Sequence, residues 1–343
     1  MDFATRLIAW QKQHGRHHLP WQGTRDPYRV WLSEIMLQQT QVATVIPYYQ
    51  RFVARFPDIA ALAAATQDEV LTLWSGLGYY SRGRNLHRAA QQVTASCGGE
   101  FPRGFTEIQT LPGIGRSTAA AVSVFAFGQR RAILDGNVKR VLARCFGIAG
   151  YPGEKPVEKR LWELAEELLP TVAIESYTQG MMDLGATLCT RSKPRCGECP
   201  LGAQCVALRE GRSAELPTRK ARAPLPEKEC AMLVLLRDGE VLLEKRPPSG
   251  IWGGLWSLPE IAVGDDPAQA ALARFGVEAD TFRAMPSLRH TFTHFRLHIH
   301  PLQAEVRRCR PEAREESALW LALADALGAA LPTPVRNLLT QLT

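Results

Sequence analysis

The hydrophobic pattern changes once along this 343-residue chain, and that change limits what the chain can fold into. Up to about residue 208 apolar residues recur at helical spacing, with no strand-rich segment. Residues 209–228, REGRSAELPTRKARAPLPEK, are basic, rich in proline and without period, as a linker is. Runs of strand type follow, CAMLVLL from Cys230 and EVLLEKR from Glu240, with a short helix near residues 267–275. The expected organisation is multidomain, α plus α/β: an all-α region over residues 1–208, a linker over 209–228 and an α/β region over 229–343.

Charge divides the chain in the same place. Residues 1–228 hold 29 Lys and Arg against 20 Asp and Glu, a net of +9; residues 229–343 hold 12 against 14, a net of −2. A basic front region suits a polyanion such as DNA, although charge alone does not separate that from plain solubility. The N-terminus reads as an amphipathic helix without the apolar core of a signal peptide. The longest apolar run, residues 118–127, is too short to cross a bilayer. A cytoplasmic protein with no membrane partner is expected.

Residues 111–115, Leu-Pro-Gly-Ile-Gly, make a tight turn before a helix that starts at about Ser117. Gly113 and Gly115 let bare backbone approach a ligand closely, and amides at such a turn can cradle a phosphate. An ordinary helix connection has the same composition. Asp135 follows at the mouth of another helical pattern, a position that suits a helix N-cap as well as a reactive carboxylate. Glu34 lies between Trp31/Leu32 and Ile35/Met36, in a helical register that Pro47 closes or kinks. On the buried side of that helix its pKa rises and it stays protonated; on the solvated side it is an ordinary glutamate. Gly76-Leu77-Gly78-Tyr79-Tyr80, followed by Arg82 and Arg84, has two readings as well. It is either a turn with core tyrosines or a loop that presses an aromatic into a base stack while its cations hold the backbone.

Of eight cysteines, four crowd into residues 189–205 as Cys-x6-Cys-x2-Cys-x5-Cys: Cys189, Cys196, Cys199 and Cys205. Cys97, Cys145, Cys230 and Cys309 are scattered. Such crowding points to a metal site rather than disulfides. Structural zinc sites usually show two tight pairs and here there is one, whereas four thiolates in one short loop can wrap a 4Fe–4S cubane. Arg191, Lys193 and Arg195 fall inside the first interval, where they suit phosphates. In RHTFTHFRLHIH, from Arg289, the histidine spacing suggests a metal, but strand alternation explains it better.

The turn followed by a lone carboxylate resembles the helix-hairpin-helix DNA glycosylases. WLSEIMLQQTQVATVIPYY, from Trp31, closely resembles the MutY-type adenine glycosylases, and the cysteine spacing is that of the endonuclease III and MutY families. EVLLEKRPPSGIWGGLWSLPE, from Glu240, resembles the Nudix fold, an α/β sandwich. AQAALARFGVEA, from Ala268, lacks the acidic cluster with which a Nudix hydrolase binds Mg²⁺. Together the resemblance covers almost the whole chain. It implies a helix-hairpin-helix glycosylase domain with an iron-sulfur loop, then a Nudix-like domain that reads the opposite base.

The activity so implied is base-excision repair, in which adenine mispaired with 8-oxoguanine or guanine in duplex DNA is flipped out and hydrolysed. The enzyme would be a nucleoid-associated monomer carrying one 4Fe–4S cluster on the four cysteines. Glu34 would protonate adenine at N7, and Asp135 would stabilise the oxocarbenium or bond to it transiently. Asn137 would orient these groups, and Trp21 and Gln179 would line the adenine pocket. Tyr79, with Gln39, would enter the opened stack, Thr40 and Leu77 would also bind the substrate, and Gly113, Gly115, Arg191, Lys193 and Arg195 would hold the DNA backbone. Phe292-Thr293-His294 stands where the family has a Phe-Ser-His loop that inspects the opposite base. Ser117 occupies the position of the lysine nucleophile of endonuclease III-like glycosylase/AP lyases, which makes a monofunctional enzyme the expectation and a bifunctional one the alternative. Many MutY proteins carry Tyr there. Lys139 would trap the sugar only as a side reaction.

Overall fold

Capping residues written into the sequence start several helices of the front region. In the computed structural model, which describes residues 2–220, 224–310 and 317–342, Asp2 caps α1 (Phe3–His14) and Asp26 caps α2 (Pro27–Leu37). Pro27 sits in the first turn of α2, where its missing N–H costs nothing. Next come α3 (Val42–Arg55), α4 (Ile59–Ala64), α5 (Gln67–Trp74) and α6 (Ser81–Cys97). They are followed by α7 (Phe105–Thr110), α8 (Arg116–Phe127), α9 (Gly136–Cys145), α10 (Lys155–Glu167), α11 (Ile174–Thr187) and the short α12 (Val206–Arg209).

The register expected to continue as one helix to Pro47 breaks at residues 38–41. There Gln39 takes a left-handed φ of 57°, and Pro47 lies inside α3 instead of ending a helix. α4 and α5 are separate helices because Thr66 and Glu69 form a capping box that opens α5.

The chain divides into two units. One takes in residues 2–64 and 85–220; the other takes in residues 65–84 together with the described residues from 224 onward. Residues 65–84, read in sequence as part of the all-α region, thus group with the second unit.

The first unit is helical. Its core gathers Phe3 and Leu7 of α1, Ala120 and Ala121 of α8, Val138 and Leu142 of α9, Leu161 of α10 and Leu184 of α11. Full burial of such a leucine or phenylalanine contributes about 1.5–3 kcal/mol relative to exposure. Two glycines on α11 set how closely the helices approach. A Cβ on Gly180 would lie 3.1 Å from Leu7 Cγ, and one on Gly185 would lie 2.5 Å from Asn137 Cβ. The second distance excludes any side chain unless α9 moves.

In the second unit β1 (Glu227–Arg237), β2 (Glu240–Lys245), β3 (Trp256–Ser257), β4 (Glu260–Ile261), β5 (Val277–Ala279), β6 (Arg283–Ala284), β7 (Leu288–Thr291), β8 (Arg296–Cys309) and β9 (Ala318–Ala322) form one mixed sheet. Its main path runs β3-β2-β1-β8-β5. β1 and β8 are parallel, with Cys230 opposite Ile299, and β9 lies antiparallel to β2. α13 (Pro267–Phe275), α14 (Leu323–Gly328) and α15 (Thr333–Thr340) complete the unit. Leu233, Leu235 and Leu242 of the sheet pack with Ala271 and Phe275 of α13 in its core.

The strand alternation read in RHTFTHFRLHIH runs within β8 from Arg296. Residues 292–295 instead form the turn between β7 and β8, closed by the Phe292 N–H on the Phe295 carbonyl at 2.9 Å. Within β8, Leu297 and Ile299 are buried, while His298 and His300 on the other face approach Glu227 and Glu229. Among the described residues no helix is long and apolar enough to cross a membrane.

Candidate active site and nucleic-acid interface

Glu34 lies near the C-terminal end of α2 and opens onto a cavity of about 590 Å³, in the size range of ligand pockets. Trp21, Val30, Leu37, Phe125 and Met182 supply apolar wall, and Gln179 supplies an amide. Protein surrounds the Glu34 carboxyl, and this burial, reinforced by the nearby Asp135 carboxylate, pushes its pKa up to about 8. The buried-side reading of this residue is therefore the one realised, and Glu34 holds its proton at neutral pH.

Asp135 is the N-cap of α9. One oxygen accepts the N–H groups of Asn137 and Val138 at 2.9 and 2.8 Å, and the other accepts the Asn137 side-chain amide at 3.4 Å. Burial raises its pKa against the pull of these donors. The capping and the reactive readings of this residue are compatible, since capping fixes the carboxylate while leaving it beside Glu34. Arg140 braces the arrangement by donating to Asn137 Oδ1 and to the Gly185 and Cys189 carbonyls, each at 2.7 Å. Ser117 lies in the first turn of α8, where its hydroxyl accepts the Leu134 N–H at 2.9 Å.

A buried carboxylate that the sequence did not single out holds two residues lining the cavity, Arg16 and Gln179. Asp183 is fully buried on α11 and receives Arg16 Nε at 2.7 Å, the Arg16 N–H at 2.9 Å and Gln179 Nε2 at 2.9 Å. The last bond turns the Gln179 carbonyl into the group it can offer to a ligand. Its only sequence signal was an aspartate in an otherwise apolar stretch of helix.

Gly113 has a φ of 80°, and Gly115 caps α8 without a side-chain bond. Gln39 is exposed in its left-handed conformation, while Thr40, half-buried beside it, donates its N–H to the Leu37 carbonyl at 3.2 Å.

In the second unit Tyr79 is 41% exposed with a φ of 48°, and Leu77 is buried. Both line a second cavity of about 590 Å³ together with Trp252, Phe292, Thr293 and His294. Phe292 lies 5.3 Å from Trp252, 4.6 Å from His290 and 4.6 Å, stacked, from Phe295. Arg82 is not a surface cation: it is buried and donates to the Leu77 and Gly78 carbonyls, which makes it a clamp for the turn. Elsewhere in this unit Glu244 pairs with Arg274 and Glu260 with Arg246.

Cys189, Cys196, Cys199 and Cys205 are unbridged and line one small cavity, and Cys145, distant from them in sequence, lines it too. Val141, Leu184, Leu188 and Pro194 wall the cavity, and Arg144 Nη1 donates to Cys189 Sγ at 3.3 Å. Among the described residues no three metal-ligating side chains converge on a single point. The thiols ring a space. Four thiols with apolar walls and a guanidinium donor suit an anionic iron-sulfur cluster. Of the loop cations, Arg191 and Lys193 are exposed and Arg195 pairs with Glu198 at 3.1 Å.

Comparison with known proteins agrees with both units. Residues 32–167 match the HhH-GPD superfamily base excision DNA repair protein model, and residues 230–341 match the NUDIX domain. A thermostable thymine-DNA glycosylase structure superposes with a TM-score of 0.56 at 32% identity, covering 61% of this chain and 95% of that one. The adenine DNA glycosylase of Mus musculus is 32% identical over 98% of this chain and 76% of its own length. That of Buchnera aphidicola subsp. Acyrthosiphon pisum is 37% identical over 98% of this chain and 96% of its own. With a helix-hairpin-helix domain, a Nudix domain and identity at this level along nearly its whole length, the chain belongs to the adenine DNA glycosylases, enzymes of base excision repair.

Proposed function

We propose that this adenine DNA glycosylase acts on adenine opposite 8-oxoguanine or guanine in duplex DNA, with Glu34 and Asp135 dividing the chemistry. The carrying observation is a glutamate that burial keeps protonated, opening on a cavity beside a second carboxylate. An adenine can be reached only outside the stack, so the base is extruded into that cavity. There Trp21 lines the slot and Gln179 offers its carbonyl to the exocyclic amine. Glu34 donates its proton to adenine N7, so that the base leaves neutral. Asp135 stabilises the oxocarbenium by charge or by a transient bond, and Glu34, now a carboxylate, takes a proton from the attacking water. Asn137 orients Asp135.

The remaining assignments follow the same reading. Gly113 and Gly115, with Arg191, Lys193 and Arg195, take the DNA backbone. Tyr79 and Gln39 fill the opened stack, with Thr40 and Leu77 binding the substrate beside them; the left-handed φ of Gln39 and Tyr79 supports this, because such strain gathers at functional loops. Phe292, Thr293 and His294 inspect the opposite base. Residues 1–208 form the catalytic region, 209–228 the linker and 229–343 the recognition region.

Cys189, Cys196, Cys199 and Cys205 would hold one 4Fe–4S cluster, whose contribution when bound is to order the loop carrying Arg191. The protein works as a monomer in the cytoplasm, at the nucleoid. Ser117 supplies a hydroxyl where a lyase needs an amine, which supports a monofunctional enzyme over the bifunctional alternative. Incubation with duplexes carrying adenine opposite 8-oxoguanine, guanine, cytosine or thymine, followed by alkali, tests the reading. Cleavage confined to the first two is expected, and no alkali-labile site in any duplex would refute it.

A further inference from the structure

A groove of about 910 Å³ in the helical unit is none of the three cavities described above. Lys139, Arg140, Arg144, Arg191, Arg219 and Lys220 line it, and among the described residues no acidic side chain does. Gly136, next to Asp135, lines it as well.

Three of these cations already have partners. Arg140 and Arg144 donate to main-chain carbonyls of the cysteine loop, and Lys139 pairs with Glu158 at 2.6 Å. Arg191, Arg219 and Lys220 are exposed, and among the described residues no ion pair involves them. Neighbouring exposed arginines differ: Arg195 pairs with Glu198, and Arg209 with Glu210. Like charges gathered without an acid repel one another, and a polyanion relieves that repulsion.

The backbone carrying Arg219 and Lys220 is not loose linker. Arg144 Nε donates to the Leu216 carbonyl at 2.7 Å, the Leu216 side chain is buried, and the Gly150 N–H donates to Thr218 Oγ1 at 3.1 Å. Two cations outside any ion pair among the described residues therefore line, from an anchored segment, a groove that also holds Arg191.

We propose that this groove is a phosphate track for duplex DNA, with Arg191, Arg219 and Lys220 as its phosphate ligands. The proposal rests on the DNA-glycosylase reading and extends it to residues 219 and 220, whose composition reads only as linker. Gly136 brings the track up to the residue that carries the reacting carboxylate, so a strand held here leads to the sugar.

The test is the salt dependence of binding between the full chain and a fluorescein-labelled duplex of ordinary base pairs, which offers nothing to excise. Removing one phosphate ligand lowers the slope of log K against log salt by about 0.9, and lowers affinity at 0.1 M salt by about eightfold. R219A/K220A is expected to lose close to two such steps and R191A one more, with unchanged melting temperature and iron content. Lys159→Ala, in a hollow bordered by Glu158, Glu163 and Glu166, is the control expected to keep the parent slope. If R191A loses iron, the charge reversal R219E/K220E, outside the cysteine loop, carries the test. A parental slope in R219A/K220A or R219E/K220E overturns the track and leaves the DNA-glycosylase reading standing. Failure of the parent protein to bind duplex DNA overturns both.

Discussion

The hydroxyl of Ser117 accepts the main-chain N–H of Leu134 at 2.9 Å, one residue before Asp135. The Ser117 side chain therefore holds the loop that presents the Asp135 carboxylate. Ser117→Ala leaves the buried Leu134 amide without its acceptor, which costs about 1–3 kcal/mol. Melting should fall accordingly, and excision should fall further than DNA binding does. Borohydride should trap little adduct with the parent protein and more with Ser117→Lys, at lower stability. Efficient strand cleavage by the parent without alkali would count against the monofunctional assignment.

The buried carboxyl of Glu34 costs the fold stability. Its folded pKa of about 8 lies above the unfolded value. Below the unfolded pKa both states are protonated and nothing is lost. As pH rises from there to about 8, the unfolded state ionises freely while the folded state resists, so stability falls through that window and levels off above it. Glu34→Gln escapes this penalty. It should melt higher than the parent by a margin that grows between pH 5 and 8, while still binding mismatched DNA and losing about 10²–10⁴-fold in excision. In the parent, kcat/KM should decline above pH 8 as the acid form disappears. Equal melting of parent and variant at pH 8 would show that the carboxyl is not buried as described.

Gly185→Ala would place a methyl group 2.5 Å from Asn137 Cβ. Overpacking of this kind costs about 1–3 kcal/mol. Because the displaced residue donates to Asp135, single-turnover excision should fall more than DNA affinity does. Gly197→Ala, with nothing within 4 Å of the added carbon, is the comparison expected to behave as the parent.

Phe292 packs between Trp252, His290 and Phe295 at the rim of the second cavity. Phe292→Ala or His294→Ala should reduce the preference for 8-oxoguanine over guanine opposite adenine several-fold, since a good base contact is worth about 1–3 kcal/mol. Excision rates at saturating enzyme, measured on both duplexes, check this. An unchanged ratio would remove these residues from base inspection.

Iron analysis should find about four irons per chain in a brown protein, as a cubane on four thiolates requires. Cys199→Ser should lose colour and weaken DNA binding by loosening the loop that carries Arg191. Stoichiometric zinc in a colourless protein would refute the cluster.

Local chemistry made much of this molecule legible in advance. Asp135 followed by an apolar helical pattern signals an N-cap, and Leu297 and Ile299 signal a buried strand face, because caps and side-chain periodicity depend on neighbours a few residues away. Glu34 between apolar neighbours left burial undecided, since flanking residues point to several sides of a helix, and only packing chose the buried side. The pairings between distant segments were not legible at all. Asp183 meets Arg16 across 167 residues, Cys145 joins the four crowded cysteines, Tyr79 and Phe292 line one cavity, and Arg191 shares a groove with Arg219 and Lys220. No propensity or spacing encodes such pairs. They exist because close-packed helices and a sheet of fixed register bring remote side chains together, so the sequence by itself determined the elements and their chemistry, and tertiary packing decided which of those residues share a site.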